Sequence, residues 1–219
     1  MIALKNVAIM ASSAGSGKDT VADYIVDLAN DDKLFYQKLS LGMGIYDICN
    51  GLKPDHIGRM PRNYLQDVGE QMRNIFGENV WIEKTDRVIF HDYSNDAYYD
   101  RIPDGYIIPD VRKFLEFSHY VVEKKFLPLY VKVDEDVARE RLTARDGSYD
   151  QKDLGKDIET QMHFVESLPI QYIGESGLAK VQFDNGGYLN DIYVIDNSED
   201  KRHLEKQVES WWQLVAREY

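Results

Sequence analysis

The chain has 219 residues, 43% of them hydrophobic, and a formal net charge of −12. That length accommodates one well-buried core, and the acidic balance excludes a general nucleic-acid or anionic-membrane binder, which would carry a basic surface. No apolar run approaches the ~20 residues of a membrane span, and the run at Val7–Ala11 is too short for a secretory leader. A lone cysteine, Cys49, leaves no internal disulfide and fits a reducing cytosol as a small buried hydrophobe.

Short β-rich runs alternate with helical patterns, which predicts an α/β fold with a parallel sheet and crossover helices. The first run, Val7–Ala11, leads into the loop Ser12-Ser-Ala-Gly-Ser-Gly-Lys18-Asp-Thr20 and a helix over Thr20–Leu28. A strand, a glycine turn and a helix in that order converge backbone N–H groups and the helix N-terminus on an anion. Gly15 and Gly17 permit the positive φ that such a loop needs, and Lys18 supplies a point charge for the β- and γ-phosphates. The commonest phosphate-loop pattern has glycine at position 12 and a hydroxyl at 19, where this chain has Ser12 and Asp19. A dinucleotide loop fits worse, because Thr20 fills its third glycine place.

A second strand is predicted over Leu34–Leu41, followed by a helical segment at 62–81. Leu65, Val68, Met72, Ile75 and Phe76 read as its buried face. Arg62, Gln66, Gly69 and Arg73 share another stripe at i, i+4, i+7 and i+11. Arginine forks suit phosphate oxygens, glutamine reads a base edge, and glycine gives a ligand room to approach. The stripe is therefore a candidate acceptor site, with Arg59 beside it. Residues 91–105 are polar and turn-rich, and Tyr93, Tyr98 and Tyr99 read as solvent-side loop tyrosines.

A third strand, Tyr106–Pro109, places Asp110 and Arg112 just past its C-terminal end, the edge where open α/β sheets bind ligands. Asp110 there is a candidate to hold Mg²⁺ through water, or to cap the next helix, and Arg112 to grip a transferring phosphoryl group. Phe114, Phe117 and Val121 mark that next helix. A fourth strand (Leu129–Val133) and a helix (Val137–Arg145) lead into a polar, glycine-bearing segment. Residues 174–191, with Asn185-Gly186-Gly187 at their centre, predict a β-hairpin. A fifth strand, Ile192–Ile195, precedes a closing helix whose Leu204, Val208, Trp211, Trp212 and Val215 share one core-facing stripe. Neither His56, His91, His119 nor His203 falls in a site pattern, and no His/Cys cluster suggests zinc.

Ser12-x-x-Gly15-x-Gly17-Lys18-x-Thr20 resembles G-x-x-G-x-G-K-x-T, the loop of adenylate-kinase-like nucleoside monophosphate kinases, apart from its first glycine. The fuller string Ser16-Gly17-Lys18-Asp19-Thr20-x-Ala22-Asp23-Tyr24-Ile25 is similar to the deoxynucleoside monophosphate kinases of phages and their bacterial relatives. So are Leu65-Gln66…Gly69…Arg73…Trp81, Asp110-Val111-Arg112, and Ile195-Asp196-Asn197 before the last helix. Arg141-Leu142-x-x-Arg145 resembles the opening of the mobile lid of nucleoside monophosphate kinases.

The resemblance implies a P-loop kinase fold, a five-stranded parallel sheet in the order 2-3-1-4-5 with helices on both faces. It would be a single domain over 1–219, with an acceptor-binding helical region at about 42–90 and a lid at about 145–165. The implied activity is transfer of the γ-phosphoryl group of ATP to a (deoxy)nucleoside monophosphate, with Mg²⁺ as cofactor, in the cytoplasm, with no nucleic-acid polymer or membrane as partner. Ala14, Gly15, Ser16, Gly17, Lys18, Asp19, Thr20 and Arg145 would bind ATP. Arg62, Gln66, Gly69, Arg73 and Arg112 would bind the acceptor, and Lys18, Arg112 and Arg145 would carry catalysis. The family brings further arginines from the far side of the lid, whereas this chain has none between 146 and 201 and offers Lys152, Lys156 and His163 instead. Two other readings stay open: a P-loop kinase with a non-nucleotide acceptor of the phosphomevalonate or dephospho-coenzyme-A kind, and a non-catalytic ATP-binding regulator.

Overall fold

A computed structural model describes residues 6–11, 13–52, 62–91, 102–147, 161–184, 186 and 189–217. In chain order the elements are β1 (Val7–Ala11), α1 (Lys18–Asp31), β2 (Tyr36–Lys38), α2 (Met43–Leu52), α3 (Arg62–Phe76) and α4 (Val80–His91). There follow β3 (Gly105–Val111), α5 (Phe114–Phe117), β4 (Leu127–Lys132), α6 (Glu135–Asp146), β5 (Gln171–Tyr172), β6 (Ala179–Asp184), β7 (Leu189–Asp196) and α7 (Lys201–Arg217). A π-helical turn, Ser118–Glu123, continues α5, and a 3-10 helix, Gln161–Ser167, precedes β5. The chain divides into two compact units: Met1–Lys38 with Pro103–Tyr219, and Leu39–Ile102. No helix among the described residues is long and apolar enough to cross a membrane.

The larger unit is built on one sheet of order β2-β3-β1-β4-β7-β6-β5. Its first five strands are parallel, in the sense 2-3-1-4-5 with β7 as the fifth, and this is the strand order expected above. Two further strands, β6 and β5, extend the sheet antiparallel. The expected hairpin is the β6–β7 pair, with Asn185 and Gly187 of its turn outside the described residues.

Period-two alternation assigns the sheet's faces. Val7, Ile9, Ile107, Leu129, Val131, Tyr193 and Ile195 join Val21, Ala22, Ile25 and Ala29 of α1 in one cluster. Leu204, Val208, Trp211, Trp212 and Val215 of α7 complete it, so the two tryptophans are core. Trp212 Nε1 donates to Asp32 over 2.7 Å, which meets the rule that a buried indole N–H finds a partner. The intervening residues Ala8, Met10, Ile108 and Tyr130 are equally buried, as expected where helices cover both faces of a parallel sheet.

Two strands differ from their sequence expectations. β2 is three residues rather than Leu34–Leu41, because Leu34 N–H donates to Ala29 O and Phe35 N–H to the Asp104 carboxylate instead of to a strand. β3 runs on through Pro109 to Val111. Its register against β1 jumps from Ala8↔Ile108 to Met10↔Val111, so one extra residue bulges at Pro109–Asp110. Proline cannot donate to a central ladder, and a bulge is how a sheet admits it.

The smaller unit holds α2, α3 and α4. Here the expected face of α3 is corrected. Ile75 and Phe76 are exposed, at 64% and 66%, while Gly69 and Arg73 on the other stripe are buried. The cause is local: a Cβ on Gly69 would lie 2.9 Å from Ile45 Cδ1, so the bare glycine lets α2 seat against α3. Trp81 Nε1 of α4 also donates to Gly69 O over 3.2 Å. Cys49 is buried and free, as its composition reading required.

Candidate phosphate-binding site

Four of the parallel strands, β1, β3, β4 and β7, bring the following segments to their C-terminal edge, and the loop after β1 is the centre of the site. Ser16 N–H donates to Ser13 O, which closes the turn. Gly15 and Gly17 sit at φ 85° and 84°, left-handed values that an L side chain rarely adopts. Gly17 is the cap of α1, and Lys18 is its first residue. The loop amides thus stand at a helix N-terminus with a lysine beside them, the arrangement that suits an anion. Ser12 lies outside the described residues.

Lys18 Nζ pairs with Asp19 over 2.7 Å. Asp19 is mostly exposed, so this pair contributes little and gives way readily to a more highly charged phosphate. Thr20 is exposed on the first turn of α1. Ser16 is buried at 1% exposure, and its hydroxyl has no hydrogen-bond partner among the described residues.

Ala11, Ser13, Ala14, Lys18, Val111, Arg112 and Met162 line one pocket. The structure therefore brings together Lys18 and Arg112, which lie far apart in sequence. The bulge in β3 sets the exit of that strand, and Asp110 is half-buried on it. The next helix is capped by Glu116, whose carboxylate accepts from Arg112 N–H at 2.8 Å and Lys113 N–H at 3.0 Å. Those two bonds orient the backbone that carries Arg112. Met162, which sequence reasoning did not single out, comes from the 3-10 helix. That helix is tied down where Gln161 Oε1 accepts from Phe114 N–H and Glu166 accepts from the Tyr130 hydroxyl at 2.7 Å. Phe114, Phe117, Phe164 and Phe183 stack around it at centroid distances of 5.3 to 5.6 Å.

Asn197, just past β7, reaches back to the loop. Its Nδ2 donates to Ser16 O over 2.7 Å, and a Cβ on Gly17 would lie 2.2 Å from that nitrogen. Its Oδ1 accepts a long 3.5 Å contact from Arg141 Nη2 of α6. Arg145, one turn further on, is exposed near the Gly147 cap of α6. Residues 148–160 of the expected lid, with Lys152 and Lys156, lie outside the described residues; His163 is exposed on the 3-10 helix.

In the smaller unit Arg73 is buried and makes a 3.5 Å contact with Glu70. Gln66 is half-buried one turn before Gly69. The room beside Gly69 is taken by Ile45, so helix packing accounts for that glycine. Arg59 and the side chain of Arg62 lie outside the described residues. Among the described residues no three His, Cys, Asp or Glu side chains form a metal cluster.

No protein-family model matches the chain. No curated protein matches it either. Among solved structures it is similar to a gluconokinase from Sinorhizobium meliloti 1021, at 12% identity and a TM-score of 0.46, over 98% of this chain and 94% of that one. It is likewise similar to TT1252 from Thermus thermophilus, at 13% identity and a TM-score of 0.46, over 96% of this chain and 98% of that one. Likeness at that level bears on no chemistry.

Proposed function

We propose that the chain is a P-loop kinase that transfers the γ-phosphoryl group of ATP to the phosphate of a (deoxy)nucleoside monophosphate. The observation that carries this reading is Lys18 at the head of α1, on a left-handed glycine loop, in one pocket with Arg112. The nucleotide nature of the acceptor rests on the motif resemblance. The acceptor phosphate is already ionised, so the reaction needs positioning and charge neutralisation rather than a general base.

In this reading the loop amides from Ala14 to Thr20 and the Lys18 ammonium hold the donor phosphates. Arg112 meets the transferring phosphoryl group, Arg145 closes over it, and Arg62, Gln66 and Arg73 orient the acceptor. The oxygen donors fit Mg²⁺ arriving with the nucleotide, because that ion takes one or two carboxylates and otherwise phosphate oxygens and water. Asp110 would hold it through water, and when bound it neutralises charge on the donor phosphates.

The test is ADP formation from Mg-ATP against a panel of ribo- and deoxynucleoside monophosphates. Turnover confined to members of that panel supports the reading. Turnover only with non-nucleotide phosphates moves the acceptor to another class. The arginine-poor lid segment, with no arginine between 146 and 201, favours a second reading, an ATP-binding regulator. ATP binding without any acceptor-dependent ADP would select it.

A further inference from the structure

We infer that Asn197 is a positioning residue that sets the orientation of the Ser16–Gly17 peptide, and with it the anion-receiving form of the loop. This deepens the phosphate-binding reading given above and rests on it. A trans peptide unit is planar, with its C=O and N–H pointing in opposite directions. Pinning Ser16 O to Asn197 Nδ2 at 2.7 Å therefore aims the Gly17 N–H away from Asn197. That N–H belongs to the set a phosphate loop offers to its ligand.

The amide orientation of Asn197 follows from its neighbours. A carbonyl only accepts and a guanidinium only donates, so Nδ2 must face Ser16 O and Oδ1 must face Arg141. Asn197 is itself buried and held. Its backbone N–H donates to Lys132 O at the end of β4. Behind it, the Gln207 side chain of α7 accepts from Asp196 N–H at 2.9 Å and donates to Asp196 O at 2.8 Å, as a neighbouring strand would. Asp196 Oδ1 then takes both Ser198 N–H and Ser198 Oγ–H, and Ser198 Oγ accepts from Asp134 N–H at the start of α6. The segment 196–198 is thus clamped between β4, α6 and α7, and Asn197 presents a rigid donor to a loop whose glycines make it pliable. Gly17 also belongs to this contact, since any Cβ there would displace the Asn197 amide.

The experiment uses the full chain and two readouts that a merely structural role would leave alone. One is the ¹⁵N order parameter of the Gly17 amide in the unliganded protein. The other is the affinity for inorganic tripolyphosphate by calorimetry. In the wild type the Gly17 amide should be as rigid as the ends of β1, about 0.85. Asn197→Asp, which sets an oxygen against the Ser16 carbonyl, and Asn197→Ala should each lower it below ~0.6 and weaken tripolyphosphate at least tenfold. Arg141→Leu, which spares the Ser16 bond, should change affinity less than threefold. Unchanged order parameters in both Asn197 variants overturn the inference, as does a mobile loop with unchanged affinity. The isosteric Asn197→Asp keeps the test decisive if the alanine variant does not fold. A wild-type chain that binds neither ATP nor tripolyphosphate would sink the kinase reading instead, and the order parameters would still decide the role of Asn197.

Discussion

Among the described residues, the partner that an incoming phosphate would displace from Lys18 is the exposed carboxylate of Asp19. Lys18→Ala should therefore lower kcat for phosphoryl transfer by ~100-fold or more, the scale of losing one preorganised charge partner, with an unchanged circular-dichroism spectrum. An active Lys18→Ala enzyme would falsify the assignment. Gly17→Ala meets two penalties at once. A left-handed φ costs an L residue about 1–2 kcal/mol, and the new methyl lands on Asn197 Nδ2. A loss of ~1–3 kcal/mol in urea unfolding, together with lost ATP binding, is expected; wild-type behaviour in both would refute the loop geometry. At this scale the loop was legible, because its residues are contiguous and each has a chemical reason to be there. Asn197 was not. It lies 181 residues from Ser16, and only the pairing of β4 with β7 brings it to the loop. Glu116 escaped in the same way, since a glutamate one turn into a helix looks solvated until its carboxylate is seen on two backbone amides.

Single elements were legible where one periodicity dominated, and misread where two competed. The stripe of α7 reads cleanly because five apolar side chains all face the core. Helix α3 carries two stripes, and counting large apolar residues chose Ile75 and Phe76, which are exposed. What decides its packing is the absence of a side chain at Gly69. That gives a graded prediction. Gly69→Ala gains about 1 kcal/mol in helix propensity and asks only the tip of Ile45 to move, so it should leave stability within ~1 kcal/mol of wild type. Gly69→Leu has no such room and should cost ~1–3 kcal/mol. Equal midpoints for all three proteins in urea would show that α2 does not rest on this glycine. β3 was cut short in the sequence reading, which ended the apolar run at Pro109 and placed Asp110 beyond it. The bulge that accommodates the proline cannot be seen without the register against β1.

For the molecule as a whole, two buried phenols set an upper pH limit. Burial first, and then the charge of Asp104, push Tyr36 up to about 12. Burial first, and then the hydrogen bond to Glu166 and its charge, raise Tyr130 further. Unfolded tyrosines ionise near ~10, so above that pH the unfolded chain binds fewer protons than the native one. Their stabilising contribution is thus complete below pH ~10; that of Tyr36 is lost as the pH rises through about 12, and that of Tyr130 falls across the same window and beyond it. Urea midpoints should fall across that window and less steeply in Tyr36→Phe; identical slopes would discard the attribution.

The overall α/β order was legible because alternation of short strands and helices survives in the sequence, and the added β5 was not, since two residues carry no periodicity. The position of the smaller unit in the chain has a consequence of its own. β2 and β3 are adjacent parallel strands, and everything from Leu39 to Ile102 is what joins them. In topological terms the unit is one crossover, roughly five times the dozen residues that such a connection needs. Loop-closure entropy grows only logarithmically, so the extra length costs the sheet about 1.5 kcal/mol. The connection can therefore be rewritten or exchanged at little expense to the strands that hold Lys18 and Arg112.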